Sequence, residues 1–375
     1  MSEPSPRPSP WRSWFLAAAP EGGRLPGLDA LRGLLVLAVA MYHLTVWFGL
    51  HPSGSPANMA FAKAGNYGVS AFFILSGFLL VRTTPWSRVA QEGLKAYYLR
   101  RWLRLGPVFY LAVLANVALG LGMGPEPSLR FILENATLTF GLFHPNHALV
   151  TGGWFVGLVV LLHAAHPGVA RLRAYLQPGQ DRLFLAALTL ILAAWSLHPT
   201  LYGVMGAADG ARFHAYVKPG NQLFLFVLGG LLARFHEGCS WRLAPLPFLL
   251  LGALLLGLLL RPVPVFHDHL EALTGGVRYR QLALVAGLVM LFALRGAWPR
   301  WIDGPLTRLG LWSYGLYLAH PFLYRAVQPW LGGWLGLGAS LGLSLTVAAL
   351  LERWVERPLA ALGRGPRLKD RPSQA

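Results

Sequence analysis

Ten stretches of this 375-residue chain are apolar over lengths near those needed to cross a bilayer. They lie near 31–50, 66–82, 105–122, 153–169, 183–202, 220–235, 243–260, 281–297, 308–328 and 332–351. Hydrocarbon offers the backbone no outside hydrogen-bond partner, so a spanning segment satisfies itself as a helix of about 17–25 residues. Charged residues make up 13% of the chain, against about a quarter in soluble domains. The pattern excludes a soluble fold. It predicts an all-α, polytopic integral membrane protein of about ten transmembrane helices.

The net charge of +17 would suggest a nucleic-acid partner in a soluble chain. Its distribution argues otherwise. With alternating helices and both termini cytoplasmic, 24 of the 32 Lys and Arg residues fall on the cytoplasmic side. Eight fall outside: Lys63, Arg130, Arg212, Lys218, Arg261, Arg278, Arg280 and Arg325. This positive-inside bias sets topology in the plasma membrane and leaves no role for nucleic acid. Three regions are expected: a Pro- and Ser-rich disordered segment over 1–25, a transmembrane domain over 26–360 and a basic cytoplasmic tail over 361–375. SWFLAAAP (13–20) is too short for a signal peptide, so the first span is expected to be an uncleaved anchor. The single cysteine, Cys239, falls in a predicted cytoplasmic loop as an incidental thiol and excludes an intramolecular disulfide.

The first span carries two ionisable residues. Arg32 and His43 are eleven positions apart, about 1100° of helical rotation, so they share one face about 16 Å apart along the axis. Ionisable groups within a membrane are costly and mark a site or pathway by default. A neutral histidine bonded to a neighbouring helix, with Arg32 as a headgroup anchor, is the plain alternative. Ser70, Ser76 and Gly77 in the second span read as small residues that let helices approach. In LRRWLRLGP, Arg101 and Arg104 share one face beside Arg100, just before Gly106 and Pro107 loosen the helix. They serve either as lipid anchors or as a phosphate clamp, since arginine forks match phosphate geometry. In WSYGLYLAHP, Tyr317 and His320 are three apart, and His320 lies at a depth like that of His43. The two histidines flank one centre or sit apart as satisfied core groups; the sequence leaves both open. HAAHP (163–167) lacks a third ligand nearby, and HPNH (144–147) and HDH (267–269) read as solvated loop pairs, so no metal site is expected.

Six of these segments, in order, resemble the membrane acyltransferase-3 family. LDALRGLLVLAVAMYH matches its Arg-x10-His signature through Arg32 and His43. YGVSAFFILSGFLL, YYLRRWLRLGPVFYL, NQLFLFVLGGLLAR, WSYGLYLAHPFL and the closing Glu-x-Pro of LERWVERPL follow. The resemblance spans 26–360 and implies an O-acyltransferase with no permanently bound cofactor. Its donor would be acetyl-CoA or another acyl-CoA, and its acceptor a hydroxyl of an envelope glycan, lipid or glycolipid. It makes His43 the general base, Arg32 an orienting cation, and Arg100, Arg101 and Arg104 the donor clamp. Trp154, Tyr317, His320 and Glu134 would line the acceptor pocket. One position departs. Many relatives carry a glutamate five residues after the tryptophan matched by Trp154, and here it is Val159. Either the chain belongs to a branch with a Trp-Phe version of the motif, or another carboxylate substitutes, with Glu134 a candidate; an inactive relative is the further alternative. A transporter or flippase for a polar lipid or glycan also accommodates intramembrane Arg and His, although no inverted repeat supports it.

Overall fold

The computed structural model describes residues 16–17, 25–52, 55–118, 128–197, 209–261, 275–296 and 298–363. Most of the expected disordered segment and all but the start of the tail lie outside these residues. Within the first segment, Leu16–Ala17 (β1) pairs antiparallel with Arg242–Leu243 (β2).

Every other regular element among the described residues is helical. In chain order these are α1 Pro26–Trp47, α2 Pro56–Thr83, α3 Trp86–Glu92, α4 Leu94–Ala118, α5 Leu129–Ala136 and α6 Phe140–Phe143. A 3-10 turn over Pro145–His147 leads to α7 Gly153–Arg173, α8 Pro178–Leu197, α9 Asp209–Val217, α10 Pro219–Glu237 and α11 Pro245–Leu260. The chain closes with α12 Gly275–Ala293, α13 Arg300–Val327, α14 Gly333–Leu351 and α15 Arg357–Leu362. Each predicted apolar stretch falls on one helix: α1, α2, α4, α7, α8, α10, α11, α12, α13 or α14. Among the described residues, five segments are long and apolar enough to cross a membrane: α1, α2, α7, α8 and the continuous run Gly333–Leu362. Polar and charged side chains lower the hydropathy of the rest, as the arginines of α4 do.

Neighbouring long helices alternate in direction along the chain. Gly65 of α2 meets Tyr42 and Gly68 meets Val39, so α1 and α2 are antiparallel. Gly33 packs on Gly310, and Tyr324 Oη donates to the Trp47 carbonyl at 2.9 Å, so α1 and α13 are parallel. Phe73 packs on Trp154, while His166 Nε2 donates to the Thr84 carbonyl at 2.8 Å, so α2 and α7 are parallel. All the basic signature residues, Arg32, Arg101 and Arg104, consequently lie at one end of the bundle.

Close crossings explain the small residues. A Cβ on Gly77 would lie 1.9 Å from the Phe226 carbonyl oxygen, and one on Gly229 would lie 1.9 Å from that of Ile74. Gly77 is thus a packing residue at the α2–α10 contact, where backbones approach as small residues allow. Gly229→Ala is expected to lower the melting temperature of the purified protein, because the collision is with backbone and α2 or α10 must move. Gly257→Ala, with nothing within 4 Å of its added carbon, should leave it unchanged. Equal melting of the two variants would contradict the crossing.

Polar groups at the basic end are paired across helices. Buried Asp181 at the start of α8 accepts from Arg173 of α7 at 2.7 and 2.9 Å and from Arg234 of α10 at 2.7 Å. At the other terminus of the bundle sequence, Pro358 removes a backbone donor. The preceding turn, Glu352–Glu356, is a π-helical segment, a local widening that such a break favours. Glu352 and Glu356 both line the cavity described next.

Candidate active site

The basic ends of α1, α2, α4, α7 and α13 and the π-helical turn surround a cavity of about 660 Å³. Arg32, Arg82, Arg101, Arg104 and Arg357 supply its cations, and Asp29, Glu352 and Glu356 its carboxylates. Arg32 lies 3.6 Å from Asp29, one helical turn away. Arg101 donates to Thr84 Oγ1 at 2.9 Å and lies over the Tyr97 ring. Three buried polar atoms in this wall have no partner: Arg101 Nε, His163 Nδ1 and Glu356 Oε1. Such atoms are costly unless a ligand or solvent completes them. Arg100 is directed elsewhere. It pairs with Glu92 of α3 and is not part of the cavity lining.

The cavity's apolar wall includes Phe72, Phe155, Val159 and Tyr317. Tyr317 Oη donates to the Gly152 carbonyl at 2.8 Å. Gly152 has φ +79°, and a Cβ there would meet the Tyr317 oxygen at 2.9 Å, so a side chain is excluded on both counts. Trp154 is buried behind this wall against Phe73 and Tyr216. Tyr314 Oη donates to the Leu105 carbonyl at 2.6 Å and ties α13 to α4.

Tyr317 is the link from cavity to histidines. Its ring centroid lies 6.1 Å from that of His320, one turn further along α13. His320 is buried, 1% exposed, and its Nε2 lies 2.9 Å from Nδ1 of His43 on α1. Two histidines 277 positions apart are therefore directly bonded. Their protonation follows from the partners. His320 Nδ1 faces the Leu316 carbonyl at 3.1 Å, which only accepts, so Nδ1 carries the proton and Nε2 the lone pair. His43 Nδ1–H then donates to His320 Nε2, which leaves the lone pair of His43 on Nε2. The ring of His43 is also stacked on Trp47, with centroids 4.8 Å apart and planes 6° apart. A neutral imidazole held in one tautomer and one orientation, with its basic nitrogen free of these bonds, is equipped to accept a proton.

Glu134 stands apart from this centre. It lies on α5, where it accepts from Arg130 at 2.8 Å and from His144 Nδ1 at 3.0 Å. The carboxylates that share the cavity wall with Val159 are Asp29, Glu352 and Glu356. Sequence reasoning did not single out Asp29, Arg82 or Glu352 as site residues. Their signal was present: Asp29 sits in the first turn of the Arg32 helix, and Arg82 ends α2 at the same basic end.

The family model described as an acyltransferase domain, of the acyltransferase-3 type, matches residues 25–353. The chain belongs to the acyltransferase-3 family. Among its relatives, the acyltransferase MdmB of Streptomyces mycarofaciens is 24% identical over 377 residues, covering 91% of this chain and 93% of that protein. The peptidoglycan O-acetyltransferase OatA of Listeria monocytogenes is 35% identical over 134 residues, 35% of this chain but only 18% of that protein. The O-acetyltransferase OatA of Staphylococcus aureus is 29% identical over 104 residues, 27% of this chain and 15% of that protein. The match thus spans less than a fifth of the length of these O-acetyltransferases. No solved structure matches the chain.

Proposed function

We propose that this acyltransferase-3 member moves an acyl group, acetyl in the simplest case, from an acyl-CoA at the cytoplasmic face. The acceptor is a hydroxyl of an envelope glycan, lipid or glycolipid. The observation that carries the reading is the continuity from a cavity walled by five arginines, through Tyr317, to the bonded pair His320–His43. The names of the Listeria and Staphylococcus relatives support the acetyl group, and the Listeria name supports a glycan as acceptor class. Ten spans in the plasma membrane, with both termini cytoplasmic, are supported by the alternating helix directions and by the basic bias. Under that topology the arginine end faces the cytoplasm, where coenzyme A thioesters are available.

The chemistry balances with the residues at hand. Arg101 and Arg104 hold donor phosphates through charge-assisted hydrogen bonds. Arg32 lies about 16 Å along the helix from His43, so it orients the phosphate end rather than the thioester. The pantetheine arm extends past Tyr317. His43 Nε2 takes the proton of the acceptor hydroxyl as its oxygen attacks the thioester carbonyl carbon. The C–S bond breaks, the coenzyme A thiolate leaves, and the proton passes from His43 to sulfur. His320 positions His43 and stabilises its charged form by accepting from Nδ1–H. The coenzyme is substrate throughout, and no permanently bound cofactor is needed.

Two measurements test the reading. Purified protein in lipid nanodiscs should bind coenzyme A, with binding weakened as salt screens the arginines. Absence of binding at millimolar coenzyme A overturns the donor assignment. For topology, a membrane-impermeant thiol reagent applied to intact cells should leave Cys239 unlabelled until the membrane is opened. Labelling in sealed cells reverses the orientation.

A further inference from the structure

Opposite the arginine end, the chain between α4 and α7 brings three ligand-type side chains together. Glu134 comes from α5, His144 from the residue that ends α6, and His147 from the 3-10 turn. One ligand atom from each lies within 4.8 Å of the others. We propose that Glu134, His144 and His147 form a binding site for a divalent cation of the zinc class.

The donor set is one carboxylate oxygen and two imidazole nitrogens. It suits zinc and its first-row neighbours and not magnesium or calcium, which take oxygen ligands. The site is held from behind. Asn135 Nδ2 donates to the His147 carbonyl at 2.8 Å, and Asn135 Oδ1 accepts from Leu149 N–H at 2.8 Å. These bonds fasten the histidine-bearing turn to α5 next to Glu134. Asn135 is 2% exposed and Glu134 7% exposed, so the support is interior. Both Glu134 oxygens lie within 3.1 Å of His144 Nδ1, close to the separation two ligands of one ion require. The His144 and His147 rings lie parallel with centroids 4.7 Å apart. Arg130, the other partner of Glu134, has a side chain 70% exposed and swings into solvent at little cost when a cation enters. A buried carboxylate near two histidines, beside a displaceable arginine, offers three donors to one ion.

Helix α9 packs against the 3-10 turn that carries His147. The same helix carries Tyr216, whose ring meets Trp154 at 5.3 Å behind the cavity wall. A bound ion would therefore brace the outer rim of the bundle and, through α9, the wall near Tyr317.

The test uses the full chain, stripped with a chelator and titrated with cobalt(II), then with zinc. Stoichiometric binding with the visible absorption of four- or five-coordinate cobalt, displaced by zinc, is expected. His147→Gln should weaken binding by at least about tenfold, and His144→Gln combined with His147→Gln should abolish it. His43→Gln should bind cobalt as the wild-type chain does. Wild-type protein that takes up no cobalt, or that shows only six-coordinate aqueous-type spectra, overturns the site. So does unchanged affinity in a well-folded His147→Gln variant.

Discussion

His43→Gln is expected to lower acyl transfer by about 10²–10⁴-fold, the range attributed to a lost general base. Glutamine keeps an N–H that can donate to His320 Nε2, the contact that His43 Nδ1 makes at 2.9 Å. It offers no nitrogen lone pair to the acceptor hydroxyl. Expression, melting temperature and coenzyme A binding should stay near wild type, since the α1–α13 packing rests on Gly33 and Gly310 rather than on the ring. His320→Gln should lower kcat less and leave donor KM unchanged, because His320 acts through His43 and touches no donor group. Full turnover in well-folded His43→Gln protein removes the general-base role. A loss confined to yield, with specific activity intact, reduces the pair to packing.

Arg101→Ala with Arg104→Ala is expected to weaken coenzyme A binding by about 10²-fold or more. A hydrogen bond to a charged group contributes about 1.5–3 kcal/mol, and two forks face the same cavity. Lysine at both positions should restore only part of the affinity, since it keeps the charge and loses the planar fork. Arg100→Ala is the internal control: Arg100 pairs with Glu92 outside the lining, and its loss should cost little. Unchanged binding in the double alanine variant would make Arg101 and Arg104 topology anchors. Isothermal titration in nanodiscs distinguishes these outcomes.

The helices were legible because backbone satisfaction in hydrocarbon demands long apolar runs, and each such run became one helix. The shared face of Arg32 and His43 was legible for a similar reason, since it follows from helical periodicity alone. Helix partners were not. Which of 43 glycines marks a crossing depends on the backbone opposite it, and only the assembled bundle pairs Gly33 with Gly310. The bonding of His43 to His320 follows from that pairing, so spacing left it open. Short helices such as α3, α5 and α9 lack the length for a clear apolar period. Glu134 illustrates the cost. Its acidity and external position suggested a substitute for the absent glutamate at Val159, yet α5 turns it toward His144. The histidines of HPNH, read as solvated, become a cluster only through the Asn135 bonds that fold their turn onto α5.

The most direct test of the central claim is transfer across a sealed bilayer. Inside-out membrane vesicles containing the protein expose the arginine end to the medium under the proposed topology. Radiolabelled acetyl-CoA added outside should yield label on an envelope glycan or glycolipid hydroxyl that hydroxylamine removes. Vesicles carrying His43→Gln should show no label above background while binding coenzyme A normally. Label in the His43→Gln vesicles at the wild-type rate, or none in the wild type with its acceptor present and coenzyme A bound, would contradict the account.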